Sequence, residues 1–263
     1  MKQRAEYDLK PFPRIRRMTV DAGRLTAYRH PIHGFFEVDV TKARSFIRER
    51  KEKTGEKLSF TAYVISCFAK TVAENKHVHA CRDWRSRLVL FNDVSVNTFF
   101  DAEVNGEKVV LPHIIKDANK KTFREIHEEI RAAQAGNNKG GKSVEAKFIS
   151  AFTYLPWFLR KIFYLAILRN PRLTKEYFGT VALTAVGMFG DGGGWGIPLL
   201  NHTLCITLGG ISEAPVIVDG KIETRELLCV TISIDHDIVD GAAAARFTKD
   251  LKKRIEEGGD LTE

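Results

Sequence analysis

The chain has 263 residues, of which 44% are hydrophobic, enough for one domain with a sizeable core. A formal net charge of +8 favours anionic partners, and a nucleotide-bearing cofactor satisfies it as well as nucleic acid does. No helix-turn-helix, finger or RNA-binding signature accompanies the charge, so nucleic acid is not expected as a partner. No apolar run follows Met1-Lys2-Gln3-Arg4, and none is long enough to span a bilayer, which predicts a cytoplasmic protein. Cys67, Cys81, Cys205 and Cys229 lack paired spacing and read as buried thiols, neither disulfides nor a zinc site.

Residues 1–29, with Arg14, Arg16 and Arg17, show few periodic apolar positions and read as a basic arm lying on the surface or on a neighbouring subunit; 30–263 read as a single domain. Gly34 to Val40 alternates like a strand, and Thr41 opens a helix that Gly55 ends. Apolar residues at Val64, Ile65, Phe68, Ala69 and Val72 describe a core helix capped by Ser59 or Thr61. His77, His79 and Cys81 would share one face if extended, a metal candidate without further ligand-like residues at a suitable spacing, so no metal is expected. Leu88–Phe91 and Val94–Phe99 suggest a hairpin across Asn92-Asp93; Val109–Ile115 is a strand weakened by Pro112, followed by a helix over 122–134. Residues 137–142 read as a mobile turn.

Residues 148–177 stand apart. Tyr154 to Arg169 is aromatic and apolar with interspersed basic residues, which suits a membrane interface; packing at a subunit interface or over a substrate channel is the preferred reading, because the apolar positions run nearly all round. Thr180–Val186 reads as a strand, and the glycine cluster 192–196 as a flexible loop, since no Gly-Lys-Ser/Thr follows. Thr203–Leu208, Ala214–Val218 and Leu227–Ile234 complete the strands, with Asp219-Gly220 as a hairpin turn.

The last of these strands ends in Asp235-His236-Asp237-Ile238-Val239-Asp240-Gly241, before a helix marked by Phe247, Leu251 and Ile255. His236 therefore stands where a strand stops, with an imidazole able to accept and return a proton near neutral pH. Asp240 is placed to cap the helix through its side chain.

From about Phe35 to Ile255 the chain resembles the catalytic domain of the dihydrolipoamide acyltransferases of 2-oxo acid dehydrogenase complexes, a family sharing its fold with chloramphenicol acetyltransferase. Six stretches carry the resemblance in order: Phe36–Thr41, Leu58–Val64, Ile114–Lys121, Gly187–Gly190, Pro215–Gly220, and His236–Gly241 with Ala242, matching the family's H-x-x-x-D-G. The resemblance implies an α/β fold, with helices against a mixed sheet, and a homotrimer with interfacial active sites. It also implies coenzyme A as acyl-CoA substrate and a small-molecule or lipoyl-type acceptor, with no lipoyl group attached to this chain. By position, His236 would deprotonate the attacking thiol and Thr184 would stand where the family has a serine that donates to the oxyanion. Asp240 would pair with an arginine, for which Arg14, Arg16 and Arg17 are candidates.

This sequence departs from the family in Asp237, where arginine is usual beside the histidine, in Ala185 for asparagine, and in the longer 148–177 segment. No lipoyl domain, hinge or subunit-binding segment precedes the catalytic part, so a free-standing form with its swinging arm supplied in trans is expected. The alternative is a non-catalytic trimeric assembly or binding protein on the same fold.

Overall fold

A computed structural model describes residues 7–14, 16–104, 107–138, 151–187 and 192–261. In chain order it runs through α1 (Arg16–Thr26), β1 (Pro31–Asp39), α2 (Thr41–Thr54), α3 (Phe60–Glu74), β2 (Cys81–Arg82), β3 (Leu88–Val89), β4 (Val96–Val104) and β5 (Glu107–Ile115). Then come α4 (Phe123–Asn138), α5 (Trp157–Leu168), α6 (Pro171–Tyr177), β6 (Val181–Ala185), β7 (Leu204–Val218), β8 (Lys221–Asp235) and α7 (Gly241–Glu257). A mixed sheet of six strands has the order β1-β8-β7-β6-β4-β5, with β6 parallel to both β4 and β7 and the remaining pairs antiparallel. Pro112 lies on β5 at the sheet edge, opposite Phe99 of β4, in the kind of strand where a residue without an N–H is tolerated.

Along each central strand alternate residues enter one core. Val181 and Leu183 of β6, Leu204, Ile206 and Leu208 of β7, and Val230, Ile232 and Ile234 of β8 meet Phe68 and Val72 of α3, Ile126 of α4, and Phe247 and Leu251 of α7. Ser59 caps α3, its hydroxyl accepting from the Ala62 amide at 3.3 Å, and Gly55 ends α2 in the left-handed conformation. Asp219 and Gly220, both at positive φ, turn β7 into β8, as the dipeptide predicts.

Several expectations change. Arg16–Thr26, within the stretch read as an arm, is a helix docked on α5, because Asp21 and Leu25 each find buried partners there. Thr41 does not cap α2: its amide donates to the Asp39 carboxylate, while its hydroxyl accepts from the Glu226 amide. The hairpin across Asn92-Asp93 does not form, since Leu88-Val89 pairs with Cys81-Arg82 and β4 with β5. The strands expected at 203–208 and 214–218 are one strand, β7, interrupted by a register shift between Leu208 and Ile211. Residues 139–142 of the predicted turn, 148–150 of the long segment and Met188 to Asp191 lie outside the described residues.

Candidate functional site at the end of strand β8

Because Ile232 and Ile234 point into the core, Thr231, Ser233 and Asp235 occupy the other face of β8. Asp235 is buried at the strand's last position, and a buried carboxylate needs charged or hydrogen-bonding partners. Arg29 donates to it at 2.6 Å and also reaches the Asn201 carbonyl at 3.1 Å. The Asp237 amide donates to the same carboxylate at 3.3 Å. The chain then turns back, with the amides of Ile238 and Val239 donating to the Asp235 carbonyl, and Val239 plugs into the core. His236 sits at the top of this turn. Its amide donates to the His30 carbonyl at 3.0 Å, extending the β1–β8 ladder by one bond, while its side chain is exposed. An imidazole is thus held by a fixed backbone and open to a reactant.

Of the two aspartates that follow it in the turn, Asp240 departs from expectation. Asp237 accepts a hydrogen bond from His30 Nδ1 at 2.9 Å, on the exposed rim. Asp240 has the extended conformation of a helix N-cap, and its carbonyl accepts from Ala244, but its side chain makes no capping bond. That carboxylate is exposed, and none of Arg14, Arg16 and Arg17 pairs with it: Arg14 lies over the Tyr154 ring and Arg17 donates to the Thr153 carbonyl. The arginine that braces the loop is Arg29, and the carboxylate it holds is Asp235. Strand alternation and the partner strand's lead-in are the signals that point to this pair, since a buried charge at a strand end demands a cation close by.

Thr184 lies on β6 in a row of three threonines, opposite Thr207 of β7, which is opposite Thr231 of β8. His236 is five residues beyond Thr231, roughly 16 Å along the strand at about 3.3 Å per residue, with a further strand between. One chain therefore does not bring Thr184 and His236 together. Over this face lies the segment after Gly192, which is packed where a flexible loop was expected. A Cβ on Gly209 would overlap the Gly194 carbonyl, one on Gly210 the Gly192 carbonyl, and one on Gly187 the Gly209 carbonyl. Side chains are excluded at these crossings, and the Gly210 amide donates to Gly194 at 2.9 Å. His202, just before β7, is buried with Nε2 2.7 Å from the Phe178 carbonyl; burial pushes its pKa down to about 4, so it is the neutral donor.

The residues 77–81 are not extended as a metal site would require. His77 and His79 belong to a single 3-10 turn over Lys76–His79, and Cys81 begins β2. Among the described residues no group of three or more His, Cys, Asp or Glu is arranged to hold a metal ion. Of the four thiols, Cys81 is only half-buried; burial pushes it up to about 11 and Cys205 to about 12, so neither is an activated nucleophile.

Residues 163–262 match the family model for 2-oxoacid dehydrogenases acyltransferase (catalytic domain). The resemblance read from the sequence stands. The dihydrolipoyllysine-residue acetyltransferase component of the pyruvate dehydrogenase complex of Mycoplasma capricolum is 24% identical over 250 residues, covering 92% of this chain and 49% of that protein. The succinyltransferase component of the 2-oxoglutarate dehydrogenase complex of Staphylococcus epidermidis is 26% identical over 239 residues, covering 86% of this chain and 47% of that protein. The chain thus spans about half the length of the curated relatives it matches. A probable dihydrolipoamide acetyltransferase from Listeria monocytogenes superposes with a TM-score of 0.73 at 19% identity, covering 97% of this chain and 96% of that one. The dihydrolipoamide acetyltransferase of Azotobacter vinelandii does so with 0.72 at 19% identity, covering 99% and 96%. The α/β fold with a mixed sheet is therefore that of the acyltransferase catalytic cores.

Proposed function

We propose that this chain transfers an acyl group between coenzyme A and a thiol or hydroxyl acceptor, in the cytoplasm, at a site completed by a second copy in a homotrimer. The observation that carries the reading is the placement of His236, exposed on a braced strand end. Its spacing to the other two residues supports it: Thr184 lies 52 positions before His236 and Asp240 four after. The Azotobacter vinelandii enzyme was investigated for the catalytic roles of a serine 52 positions before a histidine and an asparagine four after it.

In the proposed reaction His236 takes the proton of the acceptor's thiol or hydroxyl as its sulfur or oxygen attacks the thioester carbonyl. The carbonyl oxygen becomes an oxyanion, to which Thr184 of a neighbouring copy donates. As the intermediate collapses, the carbon–sulfur bond to coenzyme A breaks, and the imidazolium returns the proton to the departing thiolate. A shared site follows from the separation of Thr184 and His236 within one chain. Asp240, exposed and without a side-chain partner in its own chain among the described residues, is proposed to position the same site across that contact.

Acyl transfer from a panel of acyl-CoA thioesters to dihydrolipoamide and small alcohols, followed by mass spectrometry, tests this. His236→Ala is expected to slow turnover by about 10²- to 10⁴-fold. Thr184→Ala is expected to cost about 10²- to 10³-fold, with Thr184→Ser active. Co-expressing the two alanine variants should restore part of the activity, because mixed trimers rebuild some sites from two intact side chains. Activity unchanged in His236→Ala sinks the mechanism, and co-expression without rescue sinks the shared site. No acyl-CoA binding by calorimetry would favour the non-catalytic assembly.

A further inference from the structure

The helix α5 is turned inside out relative to an ordinary surface helix. Its arginine, Arg160, is 5% exposed, whereas Phe158 and Ile162 are 62% and 63% exposed. Leu159 and Phe163 follow on the same stripe, and Tyr154 and Leu155 continue it before the helix begins. These spacings put one apolar face outward. The opposite face holds the buried Arg160, Tyr164 and Ile167; Tyr164 packs with Leu25 of α1, and Arg160 and Asp21 are joined through two hydrogen bonds. A helix facing only water would place Arg160 outside and the phenylalanines inside.

The charge around this face is equally one-sided. Residues 7–28 and 151–174 together hold nine Lys and Arg against two Asp and Glu, a surplus of seven. The whole chain carries +8, so the remainder is close to balanced. Several of these cations stand over aromatic rings beside the apolar stripe: Arg14 over Tyr154 at 4.1 Å, Arg24 over Trp157 at 4.7 Å, and Lys161 over Tyr28 at 5.4 Å. An open cleft between α1 and α5, lined by Phe12, Arg17, Arg24 and Trp157, gives a phosphate headgroup guanidinium donors beside apolar walls.

We propose that this face docks on the surface of an anionic lipid membrane, with the Phe158–Ile162 stripe entering the headgroup boundary and the surrounding cations at the phosphates. A second copy set face to face would bring the same surplus charge against itself, and the rest of the chain offers it no net opposite charge. No helix among the described residues is long and apolar enough to cross a membrane, so α5 lies on the surface. The inference is independent of the acyl-transfer reading.

The test is co-sedimentation of the full chain with vesicles of phosphatidylcholine, alone or with about one-third phosphatidylglycerol, at low and high salt. Partition onto the anionic vesicles should exceed that onto phosphatidylcholine by at least about tenfold and fall with salt. Phe158→Glu with Ile162→Glu should lower it by at least about a further tenfold, with the circular dichroism of the folded chain retained. Ile217→Glu with Ile222→Glu, exposed on the β7–β8 hairpin, should leave it unchanged. Should the first pair fail to fold, Lys161→Gln with Arg169→Gln is expected to weaken binding about fivefold per cation. Absence of binding to anionic vesicles overturns the proposal, as does binding that the α5 variants do not alter. A wild-type chain that ignores lipid but loses its oligomeric mass with the α5 variants, by light scattering, overturns it in favour of a contact between copies.

Discussion

Two arginine–aspartate pairs, 2.6 Å in each case, hold opposite ends of this molecule's behaviour. Arg29–Asp235 sits at the mouth of the sheet, with its buried carboxylate organising a turn that leaves His236 in solvent. Arg160–Asp21 is buried on both sides and fastens α1 to α5, leaving phenylalanine and isoleucine in solvent instead. The same interaction therefore holds a polar side chain in solvent in one region and an apolar face in solvent in the other. The depth of the cation differs, and this sets what each pair contributes: the Arg29 side chain retains 20% exposure, that of Arg160 only 6%.

The comparison is most exposed at Arg160. Arg160→Met strands the Asp21 carboxylate and is expected to cost about 3–5 kcal/mol in urea unfolding, with turnover of the remaining folded molecules unchanged. Lost turnover at full stability would instead attach α1 and α5 to the reaction site.

Next in size is the acid response of the joint between the two regions, where His202 ties the start of β7 to Phe178 after α6. Its pKa is about 4 when folded against 6.5 ordinarily, so between these values the unfolded chain binds more protons. Stability from this group is complete above about 6.5 and falls as pH drops towards 4, by up to about 3 kcal/mol. His79, buried beside Phe91 and likewise pushed down to about 4, acts in the same direction. Unfolding midpoints measured across this range should decline, and His202→Gln should flatten the slope.

At the mouth of the sheet, Asp235→Asn keeps an acceptor for the turn but removes the charge facing Arg29. Turnover in the proposed reaction should drop about tenfold through kcat with little change in KM, while stability falls by about 1 kcal/mol. A stability loss as large as that of Arg160→Met would erase the distinction between the pairs. The smallest effect belongs to Asp237→Asn, because its partner His30 is largely exposed: unfolding should shift by less than about 0.5 kcal/mol.

Much of the architecture was legible in the residues. The alternation of β8, the apolar spacing of α3 and α7, the Asp219-Gly220 turn and the strand-end position of His236 all follow from local periodicity and turn chemistry, which act within a few residues. The order of His236 and Thr184 along the chain was legible too, through the resemblance. What sequence periodicity does not contain is which strand lies beside which. Hence local pattern pairs Leu88–Phe91 with the following strand although β3 pairs with β2, gives Asp235 no weight beside Asp237 and Asp240, and reads the glycines at 192–194 as flexible although they are packed against those at 209–210.

The α5 segment shows the division most clearly. Its composition alone marked Tyr154–Arg169 as aromatic, basic and unusual, because those properties reside in the side chains themselves. Only the tertiary structure decided which side faces water, because Asp21, more than a hundred positions away, draws Arg160 inward and turns the apolar stripe out. At β8 the same rule holds: local pattern determined that a histidine ends the strand, and the long-range Arg29–Asp235 pair, with the β1 ladder, decided how it is held.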